Sequence, residues 1–243
     1  MSDQQAPSSQ PAVKIQIGPL VLEGPAAAAV GLSVLGLGAA AIVWYAVSRP
    51  ESFREALSSA LWLSALLWLV MIFYWSARAR RRTVAIRTGE SAASRSRHQM
   101  LLNLGLLLAF VRLPWTGLRW LPASRLTIVA GLAVQLASML LDLRAIRQLG
   151  RNWSGAVTIK VDHELIRTGP YRLVRHPIYT AMIGMFLGTA IVSGELHGLM
   201  AVALCVIAYA RKIRMEERGL REAFGKAYDD YRRDTWALIP WVL

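Results

Sequence analysis

Along its 243 residues the chain alternates long uncharged apolar stretches with short polar, mostly basic connectors. The uncharged runs cover residues 26–47, 56–77, 99–111, 126–141, 177–194 and 196–210. A helix rises about 1.5 Å per residue and a bilayer's hydrocarbon core is about 30 Å thick, so the first two runs each suffice to cross it alone. The shorter ones need flanking residues that snorkel or a partner helix in a tight hairpin. The pattern predicts an all-α integral membrane protein of about five to six transmembrane helices. The last two form a helical hairpin turning around Ser193 to Gly198.

The polar segments divide the chain further. Residues 1–18 are rich in Gln, Ser and Pro and predict a disordered tail. Residues 19–148 hold the first four spans, and residues 149–243 a cofactor-binding region containing the hairpin and a C-terminal helix. Gly31, Gly36, Gly38 and Ala40 give the first run a small-residue face suited to close helix packing. Residues 78–98 lack an apolar period and predict a loop. Residues 150–168 contain the β-branched run Val157-Thr158-Ile159-Lys160-Val161 and predict a small extended or hairpin excursion. From Glu217 to Tyr231, Leu220, Phe224, Ala227, Tyr228 and Tyr231 share one helical face, predicting an amphipathic C-terminal helix.

Composition strengthens the membrane reading: 55% of residues are hydrophobic and the mean hydropathy is +0.38. The net charge of +13 would point a soluble protein towards nucleic acid, but no nucleic-acid-binding motif accompanies it. Seven arginines between Ser76 and Gln99 face the single acid Glu90, and basic loops of this kind lie on the cytoplasmic side. That places both termini and residues 144–176 and 211–243 in the cytoplasm, with anionic lipid as a neighbour of the basic faces. The lone cysteine, Cys205, falls inside an apolar run and has no intrachain disulfide partner.

Chemistry-bearing residues collect where polar segments meet apolar ones. Gly169 to Tyr179 reads Gly-Pro-Tyr-Arg-Leu-Val-Arg-His-Pro-Ile-Tyr, a segment stiffened by two prolines at the mouth of a span. It presents Tyr171, Arg175, His176 and Tyr179 there. Glu216 and Glu217 follow the last apolar run, and ionisable groups at such depth are usually functional or paired. The histidines at 98, 163, 176 and 197 have no metal-ligand spacing. P-loop, Gly-x-Ser-x-Gly and Gly-x-Gly-x-x-Gly patterns are missing, which disfavours nucleotide hydrolysis, serine hydrolysis and a Rossmann site. Trp153, next to Arg151 and Asn152, suits either a membrane-interface belt or the acceptor side of a site.

Taken in order, His163-x-Leu165-Ile166-x-x-Gly169-x-Tyr171, Arg175-His176-Pro177-x-Tyr179, the hairpin, Glu216-Glu217-x-x-Leu220, Phe224-Gly225-x-x-Tyr228-x-x-Tyr231 and Ile239-Pro240 resemble the isoprenylcysteine carboxyl methyltransferase family in its bacterial or archaeal form. Phospholipid N-methyltransferases and thiol methyltransferases share much of this pattern. The resemblance implies S-adenosylmethionine as cofactor and a lipophilic acceptor entering from the bilayer, most simply the carboxylate of an isoprenylcysteine-like substrate. It also implies a bacterial inner-membrane location. By the same resemblance His163, Leu165, Tyr171, His176, Pro177, Tyr179, Glu216 and Glu217 line the cofactor pocket. Arg175 and Glu216 are the candidate catalytic residues, with Arg175 steering the acceptor or holding the cofactor's carboxylate. The family's eukaryotic members carry a basic-Val-Pro stretch where this chain has Arg233-Asp234-Thr235-Trp236, a difference that bears on substrate choice. The rival readings are a phospholipid N- or thiol S-methyltransferase, an NADPH-dependent reductase of the sterol-reductase type and a membrane scaffold without catalysis.

Overall fold

The computed structural model describes residues 14–17, 20–23, 53–79, 85–88, 91–111, 117–153, 158–160 and 164–240. The apolar run 26–47, with its small-residue face, and residues 1–13 lie outside these residues, whereas Lys14–Ile17, inside the expected 1–18 disordered tail, form a strand. The chain divides into two compact units, Met1–Val47 and Ser48–Leu243. In the first, β1 (Lys14–Ile17) and β2 (Leu20–Glu23) pair antiparallel, with Lys14 opposite Glu23.

The second unit is a helical bundle. Its elements are α1 (Phe53–Ala79), β3 (Ala85–Thr88), α2 (Ala92–Phe110), α3 (Arg125–Leu149), β4 (Thr158–Lys160), α4 (Pro177–Ser193), α5 (Leu196–Phe224) and α6 (Lys226–Asp234). Among the described residues three helices, over Ala56–Arg78, Arg125–Leu149 and Leu196–Phe224, are long and apolar enough to cross a membrane, and α4 is a shorter apolar helix. Lipid-compatible side chains point outwards, with Trp62 and Leu126 more than three-quarters exposed. The expected hairpin is present: α4 ends on Gly194 in the left-handed conformation at φ 62°, and α5 starts two residues later.

Glycines set how closely α3 and α4 approach. A Cβ on Gly188 would come within 2.7 Å of the Gln135 backbone nitrogen, and one on Gly131 within 2.6 Å of the Val192 nitrogen. The contact excludes any side chain at either position. Across the bundle, Thr189 ties α4 to α1: its hydroxyl lies 3.2 Å from that of Ser64 and receives the Trp68 indole N–H at 3.0 Å. Gln135 of α3 donates to the Ser64 carbonyl at 3.1 Å. Such interhelical bonds satisfy polar groups that lipid cannot.

Three expectations need correction. The 78–98 loop is structured at both ends: α1 continues to Ala79, and α2 begins at Ala92 because Ser91 caps it, accepting from the Ser94 N–H at 3.2 Å. Within the β-branched run Thr158–Lys160 do form an extended strand, and β4 pairs antiparallel with β3 from that loop rather than folding back on its own neighbours. β-branched residues favour a strand but do not choose the partner, which here is remote in sequence. Finally, Glu217–Tyr231 is not one separate helix. The last span runs unbroken through Glu217 to Phe224, and Gly225, at φ 52° and ψ −128°, breaks it before the nine-residue α6.

Candidate active site

The site is assembled at one end of α4. Gly169 takes φ 62° and opens a 3-10 turn through Arg172, with Pro170 in its first positions. His176 then caps α4, whose first residue, Pro177, needs no N–H partner. Between turn and helix the chain runs alongside residues 236–237. The Arg175 and His176 N–H groups donate to the Trp236 and Ala237 carbonyls at 2.8 and 3.1 Å, and the Trp236 N–H donates to Leu173 at 3.2 Å. The Thr180 hydroxyl adds a bond to the Leu238 carbonyl at 2.8 Å. The segment after α6 is thereby strapped to the Arg-His-Pro loop.

Opposite stands α5. At about 1.5 Å per residue its 29 residues reach about 43 Å, further than the hydrocarbon core, so its charged C-terminal half extends past the apolar section. That extension carries Glu216 and Glu217 to the loop. Arg175 Nε donates to Glu217 Oε1 at 3.0 Å, His176 Nε2 lies 3.3 Å from the same oxygen, and Arg232 of α6 pairs with Oε2 at 3.5 Å. Glu217 therefore gathers three basic side chains from two segments, the Arg-His-Pro loop and α6. The Tyr179 hydroxyl donates to Glu216 Oε2 at 2.5 Å, and His176 Nδ1 is 3.7 Å from that oxygen. The His176 and Tyr179 rings stack at 5.3 Å, and Tyr179 stacks in turn on Tyr209 of α5 at 4.6 Å.

Arg175 is fully engaged as a strut: besides Glu217 it donates to the carbonyls of Arg232, at 3.1 Å, and Thr235. It also borders a cleft of about 750 Å³ lined by Lys226, Arg232, Arg233 and Trp236 among others. Tyr171 is buried in a cluster with Trp153 and Ile178, and its carbonyl accepts the Tyr231 hydroxyl at 2.7 Å. Burial and the neighbouring Glu216 push the Tyr171 hydroxyl well above its ordinary range. Tyr231 is pushed up to about 12, mainly by burial. Tyr228 is raised too, by burial and then by Glu217, so it stays a neutral donor at physiological pH. Its hydroxyl is buried without a hydrogen-bond partner among the described residues.

Of the residues singled out from sequence, the structure brings Arg175, His176, Tyr179, Glu216 and Glu217 into contact. Pro177 starts the helix beneath them, and Tyr171 sits in the adjoining cluster. Leu165 is half-buried, and no described contact ties it to the carboxylates; His163 lies outside the described residues. Trp153 is a core residue, 8% exposed, rather than a belt residue. Lys212, which the sequence pattern does not single out, is buried with Nζ 5.6 Å from the Tyr179 ring centroid. Helical spacing was the missed signal: Tyr209, Lys212 and Glu216 fall three and four residues apart on one face of α5. Among the described residues no group of His, Cys, Asp or Glu could hold a metal ion.

Residues 126–227, which contain this whole constellation except the α6 end and the strap, match the family model for phospholipid methyltransferases. Protein-S-isoprenylcysteine O-methyltransferase B of Arabidopsis thaliana is 27% identical over 117 residues, 46% of this chain and 58% of that protein. Over these segments the chain is similar to the phospholipid and isoprenylcysteine methyltransferases. Methanethiol S-methyltransferase of Mycobacterium tuberculosis is 33% identical over 129 residues, covering 49% of this chain and 51% of that one. The chain thus spans little more than half the length of these relatives. The solved structure of the eukaryotic intramembrane Ras methyltransferase ICMT covers 88% of this chain and 76% of its own, with a TM-score of 0.58 at 19% identity. That likeness establishes the integral-membrane helical fold.

Proposed function

We propose that this protein is an S-adenosylmethionine-dependent membrane methyltransferase acting on a lipophilic acceptor, most simply the carboxylate of an isoprenylcysteine-like molecule. The observation that carries the reading is the meeting of the Arg175-His176 loop with Glu216-Glu217 across the α4–α5 hairpin. The family match supports methyl transfer, and the names of the relatives supply the acceptor class.

The residues present fit the cofactor. When bound, S-adenosylmethionine supplies an electrophilic methyl group on a sulfonium cation. Glu216, about one-third exposed, retains lone pairs for a ribose diol, and the orphaned Tyr228 hydroxyl is a donor awaiting an acceptor. Aromatic faces at Tyr171 and Tyr179 suit a cation, as the Lys212 ammonium over Tyr179 already illustrates. Leu165, His176, Pro177 and, by resemblance, His163 complete the pocket. Arg175 is a positioning residue, fixing the strap and Glu217, with Glu217 in turn orienting His176. A carboxylate acceptor is already anionic, so the protein's part is alignment and exclusion of water. The cofactor enters from the cytoplasm and the acceptor sideways from the bilayer of a bacterial inner membrane.

Calorimetry on the purified, folded protein tests this. S-adenosylhomocysteine is expected to bind and NADPH not to bind. Binding of NADPH alone would replace methyl transfer by reduction, and binding of neither would leave the scaffold reading standing.

A further inference from the structure

Asp142 lies in the inner part of α3 and is wholly buried. The Trp75 indole of α1 donates to its Oδ2 at 2.7 Å, while Oδ1 has no hydrogen-bond partner among the described residues. Its surroundings are apolar and aromatic. Three and four residues on, Ala145 and Ile146 share its helical face and join Trp153, Tyr171 and Ile178 in a core cluster, against which Trp75 and Tyr179 pack. Trp75 also meets Trp153 edge-on at 5.8 Å. Asp142 is therefore one helical turn from the residues on which the proposed cofactor wall rests, and near enough to Tyr171 and Tyr209 to act on both electrostatically.

A buried carboxyl oxygen without a donor is costly, and folded proteins rarely leave one without a use. Intramembrane carboxylates in particular mark substrate paths. Among the described residues none donates to Oδ1, so the donor is expected from a bound molecule. We propose that Asp142 Oδ1 receives a hydrogen bond from an N–H of the acceptor, specifically the amide N–H beside the carboxylate of an N-acylated or peptide-bound prenylcysteine. Trp75 fixes the other oxygen and so aims the carboxyl group. This rests on the acceptor class proposed above and adds to it a requirement for an amide.

The test compares N-acetyl-S-farnesylcysteine with farnesylthiopropionic acid, which keeps the thioether and carboxylate but lacks the amide. With the wild-type protein, KM for the amide compound is expected to be at least tenfold lower at similar kcat. In Asp142→Asn, which keeps the Trp75 bond but places an NH2 group opposite, that advantage is expected to vanish. KM for farnesylthiopropionic acid is expected to stay within about twofold, and S-adenosylhomocysteine affinity to be unchanged. Equal KM values for the two acceptors in the wild-type protein would overturn the inference while leaving the methyltransferase reading intact, and that comparison does not depend on the variant folding. An Asp142→Asn effect of the same size on both acceptors would overturn it likewise. Binding of S-adenosylhomocysteine with methylation of neither acceptor would refute the acceptor class, and this inference with it.

Discussion

Glu217 is where the most contacts in the site converge, since Arg175 and His176 approach its carboxylate from the loop before α4 and Arg232 from α6. Removing its charge should therefore loosen the architecture as well as the pocket. For Glu217→Gln we expect a stability loss of about 3 kcal/mol, the scale of breaking a largely buried ion pair from one side. Thermal unfolding in detergent measures it, and an unchanged midpoint would show that the three basic side chains hold the loop without it. Tyr179→Phe separates binding from architecture: both ring stacks survive and only the bond to Glu216 is lost. A folded protein whose S-adenosylhomocysteine Kd rises about tenfold is expected, matching about 1.4 kcal/mol for one charge-assisted hydrogen bond. Unaltered affinity would remove Glu216 from the cofactor side. Both residues were legible in the sequence because they stand beside prolines or next to each other at the ends of apolar runs. Lys212 and Asp142 were not singled out: each is one polar residue in a long helix, and packing reveals that it is buried.

Among the elements, the α3–α4 pair is governed by backbone contact and the α5–α6 pair by a backbone break. A side chain at Gly188 would meet Gln135 and the Gly131 carbonyl, both within 2.8 Å, so Gly188→Val must push the two helices apart. The expected cost is on the order of 3 kcal/mol, with loss of the Thr189 bonds to α1 as a consequence. Thermal unfolding would show it, whereas a wild-type midpoint would mean that the helices can part freely. Gly184 and Gly188 do show the small-xxx-small spacing in the sequence, but small residues are frequent in this chain, which has 18 glycines. Helix identity was readable because long apolar runs allow little else in a bilayer. The β3–β4 pairing was hidden for the opposite reason: two short strands about 70 residues apart carry no local signal for each other.

For the molecule as a whole, the bundle has two chemically different ends, and their separation can be read along α4. One end holds His176, the strap and α6; the other holds Gly194, where Trp120 donates to its carbonyl at 3.0 Å and Leu196 donates to the Leu118 carbonyl at 3.0 Å. The 17 residues between span about 25 Å at about 1.5 Å per residue, close to a hydrocarbon core. The excess of arginine and lysine around the site end favours the cytoplasm, the side on which a soluble cofactor is available. Labelling can decide this cleanly because the natural chain has one cysteine, Cys205, which is buried. Leu118 is 68% exposed and Arg233 is exposed on α6, so Leu118→Cys and Arg233→Cys report the two ends. With a membrane-impermeant maleimide, Leu118→Cys is expected to react in intact spheroplasts and Arg233→Cys only in inside-out vesicles. The reverse pattern would invert the protein and deny the site its cytoplasmic cofactor; reaction of both from one side would mean that α4 and α5 form a re-entrant hairpin rather than crossing.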